Sequence, residues 1–465
     1  MAHRYVMARR FCFYLFLLMA SFGLAQHLQA QQALPDYVIS AYGNPPSVPV
    51  GPFSDEVERN VRQAFLGTIA PVGSVSRSTW GAAQSEALAE LAAAQDPRIA
   101  WFIADQMRFT WQSELREELS AAAGQMLGKT WQTRDQWSEL TDHLIAWDIP
   151  APPNYLLIKR SLFTSYLDGW DALFVEGDID WRLVSWGGVQ IDARPYDTTD
   201  TPCNCIPAAD NPTVTTAEEA AWLRDDDIVF GIAVNGAYRA YPRQIMEVRE
   251  MVNDTLGGRH LGIPYCTLCG AAQAYFTDEL PPGIERPILR TSGLLIRSNK
   301  VMYDLTTMSV FDTFLGRAVT GPLAEKGLVL EQASVITTDW GTWKATYPQT
   351  TVLTEDLALG RNFDFRSGRD ADGPIFPVGD VDPRLPIQED VLGVVTASGR
   401  PVAFPRGAAL LALRSGQEVA FENVRLRLDA GGMRAVDVDG SDLGSHQAFW
   451  FAWSQFYPDT ALWTG

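Results

Sequence analysis

Apolar residues recur at helical spacing over the first half of the chain. The positions that share a helical face are Ala87, Leu88, Leu91 and Ala92, then Ile99, Phe102, Ile103 and Met107, then Leu115, Leu119, Ala122, Ala123 and Met126. Asp96-Pro97 separates two of these segments, and proline is favourable in the first turn of a helix. The pattern predicts an all-α domain over residues 54–191, built as HEAT-like repeats or as a plain helical bundle.

From residue 215 onward the pattern changes to short strands. Ile228–Val234 is an apolar, β-branched run, Asn235-Gly236 is a strong hairpin signal, and residues 238–241 predict the returning strand. Residues 217–223 predict a short helix, because Thr216 and Glu219 have the spacing of a capping box.

Two sets of residues recur in the second half of the chain. The first set is Asp227, Gly231, Gly236 and Pro242, repeated as Asp390, Gly393, Gly399 and Pro405; the second is Trp340, Trp343, Tyr347, Pro348 and Thr350, repeated with identical spacing as Trp450, Trp453, Tyr457, Pro458 and Thr460. The recurrence predicts a C-terminal α+β, β-rich domain over 215–465 with an internal duplication, its half-domains spanning about 226–353 and 389–463. The first copy holds about fifty residues that the second lacks, and we expect function in that surplus.

The first 30 residues have the composition of a secretory signal peptide. Three arginines precede an apolar run over 11–24, and residues 28–30 are a plausible cleavage site. Residues 31–53 then predict a linker. We expect a periplasmic or secreted protein with no transmembrane segment after cleavage, and an uncleaved anchor is the alternative.

The formal net charge of −19 excludes nucleic acid as an expected partner, since phosphates repel an acidic surface. The helical domain carries no recognisable catalytic constellation. We therefore expect it to act as a scaffold or to bind a protein partner.

Four cysteines remain once the signal peptide is removed. Cys203 and Cys205 lie in a proline-rich linker over 192–214, and a disulfide between them would be cramped, so we expect each to pair elsewhere. Cys266 and Cys269, followed by Gly270, predict a strand–turn–strand knuckle that points two sulfurs at one place.

Three functions are compatible with this knuckle. The first is binding of a soft metal, Zn or Cu(I), by Cys266 and Cys269 with Cys205 and Cys203, and with His260 and Asp304 as weaker candidates. The second is thiol–disulfide redox chemistry, and the third is an interaction module held together by disulfides without catalysis. Whether the protein is an enzyme stays open.

The second half of the chain also resembles a bacterial family catalogued as domain of unknown function 3179. The matching stretches are Ile206-Pro207-Ala208, Asn235-Gly236 through Tyr241-Pro242, Val252-Asn253-Asp254, Tyr265 through Gly270, Met302-Tyr303-Asp304, Trp343 with Tyr347-Pro348, and Phe376-Pro377-Val378. The resemblance implies a fold unit and a cysteine site, with no substrate.

This chain departs from the family pattern at three positions. Thr267 stands where proline is common, Arg249 where histidine is common, and Phe311 where tryptophan is common. The arginine removes an obvious metal ligand. A pocket beside the cysteines is predicted from residues of the surplus and its flank: Tyr265, Arg249, Tyr303, Asp304, Thr306 and Ser309.

Overall fold

The computed structural model describes residues 34–66, 80–198, 203–354 and 373–465. The chain forms two compact units, residues 1–44 and 45–465. In the first unit the structure describes one helix, α1 (Asp36–Tyr42). The predicted signal peptide lies outside the described residues. Within these residues, every helix is too short or too polar to span a bilayer.

The second unit begins with helices, as its apolar spacing predicts. Its helices are α2 (Asp55–Val61), α3 (Ala82–Ala94), α4 (Ala100–Arg108), α5 (Ser113–Leu127), α6 (Gln136–Ala146), α7 (Tyr155–Tyr166), α8 (Arg243–Arg249), α9 (Gly321–Glu325), α10 (Trp340–Thr346), α11 (Arg406–Arg414) and α12 (Trp450–Phe456). The predicted helical-face positions between Ala87 and Met126 are all buried, which confirms the helical interpretation of this region. A HEAT-like arrangement stays a prediction.

The rest of the second unit is rich in short strands. They are β1 (Val184–Trp186), β2 (Ala209–Asp210), β3 (Val214–Thr216), β4 (Ile228–Val234), β5 (Ala237–Pro242), β6 (Met251–Leu256), β7 (Arg259–Cys266), β8 (Ala271–Ala272), β9 (Ala274–Phe276), β10 (Leu289–Ile296), β11 (Asn299–Asp304), β12 (Val310–Asp312), β13 (Arg317–Ala318), β14 (Gln332–Ala333), β15 (Ile336–Asp339), β16 (Thr351–Leu353), β17 (Asp390–Val395), β18 (Pro401–Pro405), β19 (Ala420–Phe421), β20 (Val424–Asp429), β21 (Gly432–Val436), β22 (His446–Phe449) and β23 (Ala461–Leu462). The predicted strand and its Asn235-Gly236 hairpin are confirmed as β4 and β5.

The described strands form five sheets, and the β-rich part looks like a five-bladed β-propeller. In order, the sheets are β1-β10-β11-β12-β13; β14-β9-β7-β6-β2, with β8 paired to β7; β15-β4-β5-β16-β3; β22-β17-β18-β23; and β19-β20-β21. Most neighbours are antiparallel, and the parallel pairs are β2 with β6, β5 with β16, and β18 with β23.

The two recurring sequence sets occupy equivalent positions in two of these sheets. In both, a hairpin (β4–β5 or β17–β18) has an antiparallel strand on one side and a parallel strand on the other. The indole N–H of Trp343 donates to Thr350 Oγ1 at 2.9 Å, and that of Trp453 donates to Thr460 Oγ1 at 2.9 Å. These tryptophans are buried anchors where a short helix packs on a sheet.

The short helix predicted over 217–223 is wrong. Thr216 and Glu219 do form the reciprocal hydrogen bonds of a capping box, with Glu219 N donating to Thr216 Oγ1 at 3.3 Å. The chain after them makes only turns, because the capping bonds satisfy the first backbone donors without requiring further helical residues.

The described parts of the segment predicted as a linker over 192–214, residues 192–198 and 203–214, pack into the fold. Asp192 is fully buried and accepts from Arg194 Nε at 2.7 Å. Arg290, also buried, donates to Asp210 Oδ1 at 2.7 Å, so this segment is joined to β10 by buried charges. Paired in this way, the buried groups avoid the cost of an isolated charge.

Gly231 and Gly393 provide a test of the tryptophan anchors. A Cβ added at either glycine would lie 2.1 Å from the ring of its tryptophan, Trp343 or Trp453. We expect Gly231→Ala and Gly393→Ala each to destabilise the protein by about 1 to 3 kcal/mol through overpacking. The measurement is the midpoint of thermal unfolding. Gly407→Ala is the matched control, since open space surrounds Gly407 in α11, and it should leave the midpoint unchanged or higher.

Candidate functional site

The cysteine knuckle forms where β7 ends. Cys266 is the last residue of β7, Cys269 lies in the following turn, and β8 then pairs back onto β7. Gly270 has φ of +62°, the left-handed conformation that the sequence predicts for it. Phe449 N donates to Cys269 O at 2.9 Å, so the turn is fastened to β22. Both cysteines are buried thiols that are not in a disulfide, and their sulfurs are 2.9 Å apart.

The surroundings of the two sulfurs differ. Cys269 Sγ lies 3.3 Å from Asn299 Oδ1 and 3.4 Å from Ser298 O, and both oxygens accept hydrogen bonds. The lone pairs of these oxygens disfavour a negative charge on Cys269, and the single proton of its thiol lies within reach of Cys266 Sγ, 2.9 Å away. Cys266 Sγ is 3.9 Å from Ser298 O, so this acceptor is closer to Cys269. The arrangement favours a proton on Cys269 and a thiolate at Cys266.

A buried ion pair lies beside Cys266. Lys300 Nζ is 2.7 Å from Glu250 Oε2 and also donates to the Glu250 carbonyl at 2.8 Å. Thr267 Oγ1 donates to Glu250 Oε1 at 3.0 Å, which fixes the carboxylate from the side of the knuckle. Because both charged groups are nearly inaccessible to solvent, little water screens their effect on Cys266.

The pKa of Cys266 is lower than the usual value for a thiol. Burial alone would raise the pKa of Cys266, and the charge of Glu250 raises it further. The hydrogen bond with Cys269, the backbone N–H of Lys300 and the Lys300 ammonium act in the opposite direction and outweigh both. The site therefore stabilises the form of Cys266 that acts as nucleophile or as metal ligand.

Cys266 also forms part of the wall of a cavity of about 430 Å³. Its polar lining includes Glu250, Thr267, Thr291 and Lys300. Its apolar side chains are Val189, Ile206, Leu268, Leu294, Leu295, Ile375 and Phe376. The polar groups Glu250, Thr267 and Lys300 contact one another beside Cys266, so the cavity has one polar, sulfur-bearing wall in a mainly apolar surface.

The helical part of the chain holds one wall of this cavity in place. Phe376 lies against the guanidinium of Arg108, 5.2 Å from its ring centroid, and the ring of Trp137 packs against it edge-on. Two residues on, the backbone N–H groups of Val378 and Gly379 both donate to Asp142 Oδ1 at 2.8 Å. Residues from α4 and α6 thus anchor the segment that carries Ile375 and Phe376.

The six residues predicted to form a pocket do not line this cavity. Tyr265 packs on Phe230, Tyr303 donates to Asp192 O at 2.8 Å, and Asp304 accepts from Ile288 N and Thr307 N. Ser309 joins the same turn as Asp304, in which Thr306 is exposed, and Arg249 is fully buried at the end of α8. These contacts make Asp304 the centre of an Asx-type turn.

The expectation that Cys203 and Cys205 pair elsewhere is wrong, because they form a disulfide with each other. Their Cα atoms are 5.1 Å apart, within the range that a disulfide tolerates even across one intervening residue. Asp192, Cys203 and Cys205 form a cluster in which the potential metal-ligand atoms all lie within 4.8 Å of one another. Among the described residues it is the one such cluster of three or more His, Cys, Asp or Glu side chains. This group could bind a metal once reduced.

The weaker ligand candidates also have other partners. His260 Nδ1 is 2.9 Å from Thr255 Oγ1 in an exposed position, and Asp304 is engaged in its turn. In the part of the chain that the structure describes, no group of that kind contains Cys266 or Cys269. The four cysteines predicted to share a metal are therefore distributed over two distinct pairs.

Sequence reasoning missed Lys300 and the cavity. A lysine directly before the apolar residues 301–303 of β11 is the one signal that points to Lys300, since a buried lysine requires a partner. Nothing in the sequence connects it to Glu250, which lies 50 residues earlier.

A family model described as "Protein of unknown function (DUF3179)" matches residues 203–444, just over half of the chain. This match includes the knuckle, Glu250 and Lys300, and it begins at Cys203. Among curated proteins and solved structures, nothing matches.

Variants of the ion pair should move the pKa of Cys266 in opposite directions. Lys300→Met removes a cation, so the pKa of Cys266 rises. As the pH is lowered, alkylation of Cys266 therefore stops at a higher pH than in the unmodified protein. Glu250→Gln removes an anion, so the pKa of Cys266 falls and alkylation persists to lower pH. The measurement is the rate of iodoacetamide labelling at Cys266 against pH, followed by peptide mass spectrometry.

Lys344→Met is the control for this pair of variants, because it removes an exposed lysine that pairs with Asp225. Its labelling profile should match that of the unmodified protein. A shift in the same direction for both ion-pair variants would contradict the electrostatic account. Since Lys300→Met leaves Glu250 unpaired and costs roughly 3 to 5 kcal/mol, each profile is recorded at a temperature where the variant is folded.

Proposed function

The chain belongs to the DUF3179 family of proteins of unknown function, and we propose that it carries out thiol–disulfide exchange through Cys266 and Cys269. The observation that carries this proposal is the pairing of two buried thiol sulfurs 2.9 Å apart, one of them in a residue of the cavity wall. Cys266 is the attacking thiolate, and Cys269 is the resolving thiol.

The spacing of the sulfurs supports exchange over metal binding. A tetrahedral zinc ion about 2.3 Å from each thiolate keeps two sulfurs roughly 3.8 Å apart. At 2.9 Å, Cys266 and Cys269 are closer than such a site allows and need only a small further approach to form a disulfide. The absence of a nearby third His, Cys, Asp or Glu ligand in the described residues supports the same choice.

The reaction consumes a disulfide and two thiols. The thiolate of Cys266 attacks one sulfur of the substrate disulfide, which breaks the substrate S–S bond and releases one thiolate. Cys269 then attacks Cys266 and forms the internal disulfide, and its proton passes to the second half of the substrate, which leaves as a thiol. Two electrons pass from the protein dithiol to the substrate, and a small thiol returns the protein to its reduced form by the reverse steps.

A comparison of two similar sheets supports placing the function in the segment between β5 and β15. We propose that the sheets containing β4–β5 and β17–β18 are copies produced by an internal duplication. The chain between β5 and β15 is longer than its counterpart between β18 and β22, and it contains the knuckle, Glu250 and Lys300. Packing of the repeated unit alone does not require those added residues.

The second candidate function is binding of a soft metal, Zn or Cu(I). The observation in its favour is that both thiols face oxygens of Ser298 and Asn299 in a buried site, where a thiolate pair suits a soft ion. The group of Asp192, Cys203 and Cys205 is a separate possibility that requires reduction of its disulfide. The test compares the metal content of protein purified without a histidine tag with that of a Cys266→Ser/Cys269→Ser variant. A lower content in the variant assigns the metal to Cys266 and Cys269, and an equal content excludes a metal there.

The cellular setting is also a proposal. Export to the periplasm or beyond is supported by the apolar segment near the start of the chain and by the Cys203–Cys205 disulfide, which persists in oxidising compartments. A protein partner would bind through the helical region. An interaction module held together by disulfides is the third alternative, and the lack of a disulfide between Cys266 and Cys269 counts against it.

A redox titration tests the proposed exchange. The protein is equilibrated with mixtures of reduced and oxidised glutathione, alkylated, and mapped by mass spectrometry. We expect a reversible transition in which a disulfide forms between Cys266 and Cys269. Such a transition is expected because the two sulfurs are already adjacent and one carries a stabilised negative charge.

Single-cysteine variants serve as matched controls. Cys269→Ser should accumulate a mixed disulfide at Cys266, because the resolving thiol is gone. Cys266→Ser should form little mixed disulfide, because Cys269 is buried behind it. Equal trapping in the two variants, or a dithiol that stays reduced across the whole titration, would end the proposal.

A further inference from the structure

The reactive sulfurs are inaccessible from the protein surface. Cys266 is 1% exposed and Cys269 is 0% exposed. A disulfide within a protein can reach an attacking sulfur only when that sulfur lies at an exposed surface, because the two backbones must approach within a few ångströms. A protein disulfide is therefore too bulky to reach Cys266.

The cavity offers the alternative route to Cys266. Its volume of about 430 Å³ is in the range of sites for small molecules. Gly188 and Ile375, the latter 50% exposed, lie at its rim, whereas Leu294 is buried inside. A molecule that enters here passes apolar side chains before it meets the sulfur.

The composition of the cavity wall limits what can bind. The Glu250 and Lys300 side chains neutralise each other and are fixed by Thr267, so the polar wall has no net charge from this pair. With this pair neutral, the Cys266 thiolate is the charge that remains in the polar wall, and an anionic ligand would lose its hydration and meet that negative charge. Because the rest of the lining is mainly apolar, neutral molecules with an apolar body are favoured over anionic ones.

We propose that the substrate of Cys266 is a small, neutral, largely apolar disulfide that binds in this cavity, a conclusion that rests on the proposed exchange function. The apolar body of the substrate contacts Leu268, Leu294 and Ile375, and its S–S bond lies against Cys266. Attack by Cys266 releases one thiol into the cavity, and attack by Cys269 releases the other, with the electron balance given above.

The test compares disulfides of different size and charge against the reduced full-length protein. The probes are 4,4′-dithiodipyridine, which is small, neutral and aromatic; glutathione disulfide, which is charged; and insulin, a protein. Oxidation of Cys266 and Cys269 is followed by rapid quenching and peptide mapping. Each rate for the two small probes is divided by the rate of the same probe with dithiothreitol, which removes differences in intrinsic reactivity.

We expect the normalised rate with 4,4′-dithiodipyridine to exceed that with glutathione disulfide by at least a factor of 100, and insulin to remain unreduced. Ile375→Trp, which narrows the rim, should slow the reaction with 4,4′-dithiodipyridine by a factor of 10 or more. Val438→Trp is the matched control, because Val438 is also an exposed apolar residue and does not line the cavity; it should leave the rate unchanged.

Failure of this inference differs from failure of the exchange function. Diamide, a small oxidant that forms disulfides from dithiols, is included to distinguish these two failures. If diamide joins Cys266 to Cys269 but the normalised rates with the two small disulfides are equal, or insulin is reduced, or Ile375→Trp has no effect, the cavity does not select the substrate. If neither diamide nor any disulfide oxidises the pair, the exchange function itself is wrong.

Discussion

The buried ion pair between Lys300 and Glu250 is the interaction on which the chemistry of the site depends. Transferring two charges from water into the protein costs free energy, and their mutual attraction seldom exceeds that desolvation cost. A pair of apolar side chains would fill the same space with less risk to stability. What an apolar pair cannot do is place charges beside Cys266 in a site from which water is excluded. The hydrogen bond with Cys269 is the largest effect that lowers the pKa of the thiol; the backbone N–H and the ammonium of Lys300 add to it, and the Glu250 carboxylate opposes them.

This way of activating a thiol differs from the use of a helix N-terminus, whose backbone N–H groups and dipole stabilise a thiolate in many redox proteins. Here the knuckle continues into the strand β8 rather than into a helix. The partner thiol, one backbone N–H and one ammonium replace it. Because Glu250 opposes Lys300, the net effect on Cys266 is a balance between two charges, and small movements of either side chain change it.

The sequence was most informative where the chemistry is local. The Asn235-Gly236 hairpin, the left-handed Gly270 and the apolar faces of the first helices all depend on residues within a few positions of one another. It was least informative where contacts join distant segments. The proline-rich stretch after residue 192 has the composition of a linker, yet Asp192 and Asp210 pair with buried arginines that its composition does not reveal. Such pairs are specified by tertiary packing rather than by propensity.

The same limitation explains why the cavity could not be predicted. Its walls come from segments near Val189, Ile206, Cys266, Leu294 and Phe376, which are spread over almost 190 residues. The Phe376 segment owes its position to Asp142 and Arg108 in the helical part. The helices therefore do more than support the β-rich part, because they hold one wall of the space that leads to the sulfur. A change in the helical part that displaced Phe376 would alter access to Cys266 without touching either cysteine.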